Sequence, residues 1–176
     1  MKTIFLAITM IASITAMGQK LYRESRDTVD GGLIFNGVVS LENLAREPTF
    51  TWYKKGMEEY VPGEKAMNLL KFYLRQYRMV VFLGTWCDDS HDLIPKLAKV
   101  LQISHYPEAS LTMYGVDRNK ATTGYEHRRY EITNVPTIIL FKGDLEAGRI
   151  TESVKTTIEG DLSAIIEKDM AGQELH

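Results

Sequence analysis

The sequence predicts an α/β domain: a mixed sheet with helices on both faces, preceded by an N-terminal extension. From Glu64 onward, segments with apolar residues three and four apart alternate with short β-branched and aromatic runs. That alternation closes on a hairpin and a last helix, an order that points to a mixed sheet. No internal repeat, low-complexity tract or flexible linker divides Gly63 to Met170. A chain of 176 residues suits one domain with a substantial core.

The first residues are set apart from the fold. Lys2 gives a positive start, Ile4 to Ile14 an apolar run, and Ala16-Met17-Gly18 the small residues that a signal peptidase reads. A cut is expected between Gly18 and Gln19, making the protein exported, periplasmic or secreted. The run is too short to span a bilayer comfortably, so no integral membrane segment is expected in the mature chain. The expected organisation is residues 1–18 as signal peptide, 19–62 as an extension packing on the core, and 63–176 as the main domain.

Gln19 to Gly37 is polar and weakly patterned, with a break at Asp30-Gly31-Gly32. Ser40 caps a short helix through Arg46. Thr49 to Tyr53 reads either as a strand or as the start of a helix to Tyr60; in the helix, Trp52, Tyr53, Met57 and Tyr60 form an aromatic patch, read first as core packing and second as a ligand surface. Pro62-Gly63 is a turn. Glu64 to Tyr77 is an amphipathic helix with Met67, Leu70, Leu74 and Tyr77 on one face. Met79 to Leu83 is a buried strand by its unbroken apolar run. A helix follows Cys87, carrying Leu93, Leu97 and Leu101, and Pro95 inside it predicts a kink. Leu111 to Val116 is a strand, Thr122 to Glu131 a polar helix, and Val135 to Phe141 a strand entered through Pro136. Lys142-Gly143-Asp144 turns into a partner strand from Glu146 to Val154. The last helix carries Leu162, Ile165 and Ile166.

The formal net charge is −2 with no basic stripe, which excludes nucleic acid as an expected partner. There is 1 cysteine, Cys87, so an exported chain forms no internal disulfide. Cys87 then stays a free thiol, pairs with another molecule, or is buried and inert. It follows Val80-Val81-Phe82-Leu83-Gly84-Thr85-Trp86 and opens a helix, where free backbone N–H groups and the dipole favour an anion.

Trp86-Cys87 at such a junction resembles the active site of the thioredoxin superfamily, as do Ser90 three residues on and Pro95 eight after the cysteine. Val135-Pro136-Thr137 opening a hairpin is similar to that family's cis-proline loop, and Phe141-Lys142-Gly143 to its hairpin turn. The likeness covers Gly63 to Met170. Trp86-Cys87-x-Asp89-Ser90, with Gly148-Arg149-Ile150-x-Glu152, also resembles an exported bacterial subgroup of thioredoxin-like proteins. The resemblance implies a thioredoxin-like fold, a cis bond before Pro136 beside the sulfur, and Trp86, Val135 and Pro136 as a substrate-binding wall. Two departures narrow the chemistry. Ser90 stands where the family has its resolving cysteine, and Val81 where classical thioredoxins carry a buried carboxylate. A hydroxyl cannot release a mixed disulfide, so dithiol cycling is not available to this chain alone.

The candidate catalytic residues are Cys87, as nucleophile, and Ser90, placed to donate a hydrogen bond to the sulfur. Asp88, Asp89 and His91 are the candidates for tuning its ionisation. His91 shares the helical face and favours thiolate when protonated, whereas the two carboxylates oppose it. The aspartates read first as ordinary acids of a helix's first turn. Cys87, Asp89 and His91 are an incomplete metal set, with His105 and His127 standing apart, so no metal or cofactor is expected. The leading expectation is monothiol thiol–disulfide exchange, as an oxidoreductase or isomerase, with protein or small-molecule thiols and disulfides as partners and an external resolving thiol. The alternative is a redox-inactive peptide-binding module on the same fold.

Overall fold

The computed structural model of the chain describes residues 20–173. The expected signal peptide and its cut lie outside the described residues. Six strands form one mixed sheet in the order β1-β2-β4-β3-β5-β6, where β1 is Tyr22–Arg26, β2 Leu33–Val39, β3 Arg78–Leu83, β4 Leu111–Gly115, β5 Thr137–Lys142 and β6 Leu145–Thr151. β3 runs parallel to β4 and antiparallel to β5, and the outer pairs are antiparallel. Chain alternation divides β3 between two cores. Met79, Val81 and Leu83 join one cluster, and Val80 and Phe82 the other.

The first cluster lies under five helices: α1 (Leu41–Arg46), α2 (Thr51–Glu59), α3 (Glu64–Tyr73), α4 (Asp88–Ile103) and α6 (Ile158–Gln173). Leu44, Tyr53, Leu70, Ile94, Leu97, Leu162 and Ile166 are their buried contributions. The second cluster, on the opposite face, is closed by Val116, Val135, Tyr130 and Ile132. α5 (Glu126–Arg129) is only one turn, shorter than the helix expected from Thr122 to Glu131. The side chains upstream compete with helix formation. Thr122 Oγ1 donates to Glu126 Oε2 at 2.7 Å, its N–H donates to His127 Nδ1 at 3.1 Å, and Asp117 Oδ1 takes the N–H groups of Asn119 and Ala121.

The polar stretch from Gln19 to Gly37 holds a hairpin that its pattern conceals. β1 is an edge strand exposed along nearly its whole length, so it carries no apolar alternation. β2 extends the sheet through Gly37, Val38 and Val39 against β4. Its close approach depends on Gly115, where a Cβ would stand 2.1 Å from the Phe35 carbonyl oxygen. The segment after Thr49 is helical: α2 lies along α4, and Gly56 leaves the gap that the Pro95 ring enters, 2.5 Å from where a Cβ would be. Trp52, Met57 and Tyr60 pack on the first cluster beside buried Tyr53. Pro95 stands inside α4 without ending it.

Candidate functional site

β3 ends at Leu83, and Gly84-Thr85-Trp86 carries the chain to Cys87, which caps α4 with extended backbone angles (φ −104°, ψ 123°). The Cys87 N–H donates to Gly84 O at 3.0 Å, a tight turn that fixes the cysteine at the helix entrance. Its side chain is half-buried against the second cluster. Sγ lies 3.3 Å from Val135 O. A carbonyl only accepts, so in this contact the thiol is the donor. The Val135–Pro136 peptide bond is cis. The loop around it is tied down by Glu152 N–H to Pro136 O at 2.7 Å and by Thr137 Oγ1 to Asn134 O at 2.7 Å. Residues separated by nearly fifty positions thus meet at one sulfur.

The other sequence candidates divide. Ser90 is fully buried, and its Oγ accepts the Gly84 N–H at 3.1 Å, so it stabilises the turn that presents the cysteine. His91 is engaged away from the sulfur. Its Nε2 meets Thr85 O at 2.8 Å, and its ring stacks on Trp52 at 4.4 Å between centroids with 17° between planes. Because Thr85 O is an acceptor, Nε2 carries the proton. Nδ1 is left facing Asp88 Oδ1 at 3.9 Å. Asp88 and Asp89 are both exposed on the first turn of α4. That is the position in which a helix dipole favours acids.

Trp86 is half-buried and held on several sides. Its indole N–H donates to Val116 O at 2.9 Å. One flank lies against Gly84, where a Cβ would stand 2.8 Å from Cε2, and the Arg118 guanidinium lies over the ring at 5.1 Å.

Three site-building residues carry no signal in their own neighbourhood of the sequence. Thr85 Oγ1 donates to Leu33 O at 2.8 Å and accepts the Phe35 N–H at 3.1 Å, pairing the site loop with β2 where β4 has ended. Arg118 Nε donates to both Asp27 carboxylate oxygens at 2.8 Å, and its Nη2 lies 2.6 Å from Asp27 Oδ2 and 3.5 Å from Asp30 Oδ2. Asp27, at the tip of the β1–β2 hairpin, is buried, and the bonded guanidinium holds its carboxyl below the usual carboxylate range. Among the described residues no group of three His, Cys, Asp or Glu side chains could hold a metal ion. No helix among them is long and apolar enough to cross a membrane.

A mixed α/β sheet, a cysteine capping the helix after its central strand and a proline loop against the sulfur together define a thioredoxin-like protein. The Thioredoxin family matches residues 70–167, more than half of the chain, and the chain belongs to that family. No curated protein matches it. Two solved structures match it at low similarity. One is a protein of unknown function from Pseudomonas aeruginosa, with 16% identity, TM-score 0.43, and coverage of 78% of this chain and 82% of that one. The other is an HIV epitope scaffold, with 18% identity, TM-score 0.47, and coverage of 74% and 87%.

Proposed function

We propose that this protein performs thiol–disulfide exchange through the single thiol of Cys87 and relies on an external thiol to complete the cycle. The observation that carries the proposal is Cys87 at the N-cap of the 16-residue helix α4, its Sγ 3.3 Å from the proline loop. Loss of the thiol proton to solvent breaks the contact with Val135 O. The thiolate then turns to the first N–H groups of α4, which have no partner within the helix, and the dipole favours the charge there. Attack on one sulfur of a disulfide RS–SR′ forms the Cys87–SR bond as the S–S bond breaks, and R′S⁻ leaves and takes up a proton. A second thiol R″SH, ionised, attacks the mixed disulfide, so RS–SR″ departs and Cys87 is regenerated. Ser90 does not substitute for that thiol, since its hydroxyl is buried on the Gly84 amide. Trp86, Val135 and Pro136 form the wall against which a protein or small-molecule disulfide lies. The sequence of residues 1–18 supports placing this chemistry in an exported protein.

The test compares the native protein with Cys87→Ser in reduction of a mixed disulfide between glutathione and a small thiol, with excess thiol donor. Native protein accelerates the reaction, and the variant returns it to background. Equal activity in the variant, or none in the native protein with any donor, overturns the proposal and favours the peptide-binding module.

A further inference from the structure

The β1–β2 hairpin reaches the reactive site by two routes: backbone groups of β2 bond Thr85 directly, and the hairpin tip holds Arg118, which lies over Trp86. The second route is the more specific. Asp27 is nearly inaccessible, with a side-chain exposure of 1%, and it is anchored by its own turn. Its N–H donates to Gly32 O at 2.8 Å, its carbonyl accepts the Gly31 N–H, and its carboxylate accepts the Val29 N–H at 3.0 Å. A buried carboxylate needs a partner, and Arg118 is that partner. The planar guanidinium takes Asp27 edge-on through Nε and Nη2 while it lies over the Trp86 ring. Arginine suits this division of work, since its fork meets both carboxylate oxygens while its charge lies over the ring, whereas an ammonium is a single point charge. Trp86 in turn adjoins the thiol. Gly84 lies under its ring, and a Cβ there would stand 3.1 Å from the Cys87 Cβ.

We propose that Asp27 and Arg118 form a clamp that fixes Trp86 beside Cys87, making the N-terminal hairpin a wall of the reactive site. Arg118 is a positioning residue. It acts through Trp86, which without the guanidinium keeps its bond to Val116 O but loses the cover of one face. A freed indole sweeps across the approach to the half-buried sulfur, and a bulky disulfide is slowed more than a small alkylating agent. The clamp rests on the thiol-exchange reading for its consequence at Cys87, and on geometry alone for its effect on Trp86.

Trp52 and Trp86 are the 2 tryptophans of the chain, so a Trp52→Phe background isolates the signal of Trp86. In that background, Arg118→Met, Arg118→Lys and Asp27→Asn are compared with the parent at a temperature where each is folded by circular dichroism. Acrylamide quenching reports Trp86, and the ratio of Cys87 reaction rates with 2,2′-dipyridyl disulfide and iodoacetamide reports access to the sulfur. Arg118→Met is expected to raise the quenching constant about twofold and to lower the rate ratio, with Arg118→Lys failing to restore either. Asp27→Asn moves both in the same direction, and serves alone if Arg118→Met does not fold. Quenching and rate ratio equal to the parent in the folded variants overturn the clamp, even if their melting temperatures fall. If quenching rises but the parent's Cys87 reacts with no disulfide, the clamp stands and the exchange reading fails.

Discussion

Ser90 occupies the position of a second sulfur in a dithiol site, and here its hydroxyl holds the amide of Gly84 at 3.1 Å in a fully buried setting. Ser90→Ala leaves that N–H unpaired and is expected to cost about 1–3 kcal/mol of stability, measured by urea unfolding. The thiol exchange activity per folded molecule is expected to change far less than in Cys87→Ser, since the serine's hydrogen bond goes to the Gly84 amide. At this scale Cys87, Trp86 and Pro136 were legible because each is marked locally: the one thiol after a strand, the aromatic beside it, a proline opening a strand. Ser90 and His91 were legible as positions but not in their contacts, since spacing along a helix does not say which neighbour a side chain meets. Thr85, Asp27 and Arg118 were not legible at all. Their partners lie 50 and 91 residues away, and only closure of the sheet brings them together.

The helices α3, α4 and α6 and the strands β3 and β5 follow from periodicity and from strand composition, because each buries a face whose pattern the sequence must carry. The hairpin escaped notice for the opposite reason. An edge strand open to solvent needs no apolar alternation, and the half of β2 beyond β4, paired with β1 on one side, is held on the other by Thr85 rather than by a strand. Its dependence on Gly115 gives a sharp expectation. Gly115→Ala puts a methyl group 2.1 Å from Phe35 O, between paired backbones that cannot yield cheaply. A loss of about 3 kcal/mol is expected in urea unfolding, with faster amide exchange in Leu33–Val39 than in β5. Uniform exchange in the two strands would contradict the view that this hairpin is the dependent part of the sheet. The short α5 has a similar lesson, because Thr122 and Asp117 spend the turn on side-chain contacts that no helical pattern anticipates.

Across the whole molecule, the acid limit of stability follows from carboxylates held low in the folded state. Asp27 is lowered by Arg118, Glu126 by the Thr122 hydroxyl, and Glu146 by Arg149. For Glu159, burial pushes upward, and the Tyr60 hydroxyl with the Gly63 N–H outweighs it. A depressed carboxyl contributes stability that is complete above its unfolded value, roughly pH 4, and lost as pH falls through its folded value. Melting temperature is therefore expected to hold down to roughly pH 5 and to fall steeply below pH 4. Asp27→Asn should shallow that fall, and an unchanged slope would remove Asp27 from the account. For the expected export, protein isolated from the native host should begin at Gln19, and a retained Met1 would contradict it.

The central claim is that one thiol opens an exchange that this chain cannot close. Intact-mass measurement of the native protein, incubated with hydroxyethyl disulfide and then freed of excess reagent, tests it most directly. The account predicts a single mercaptoethanol adduct on Cys87 that persists until an external thiol is added and is then lost. No adduct, or one that disappears with no added thiol, would contradict it.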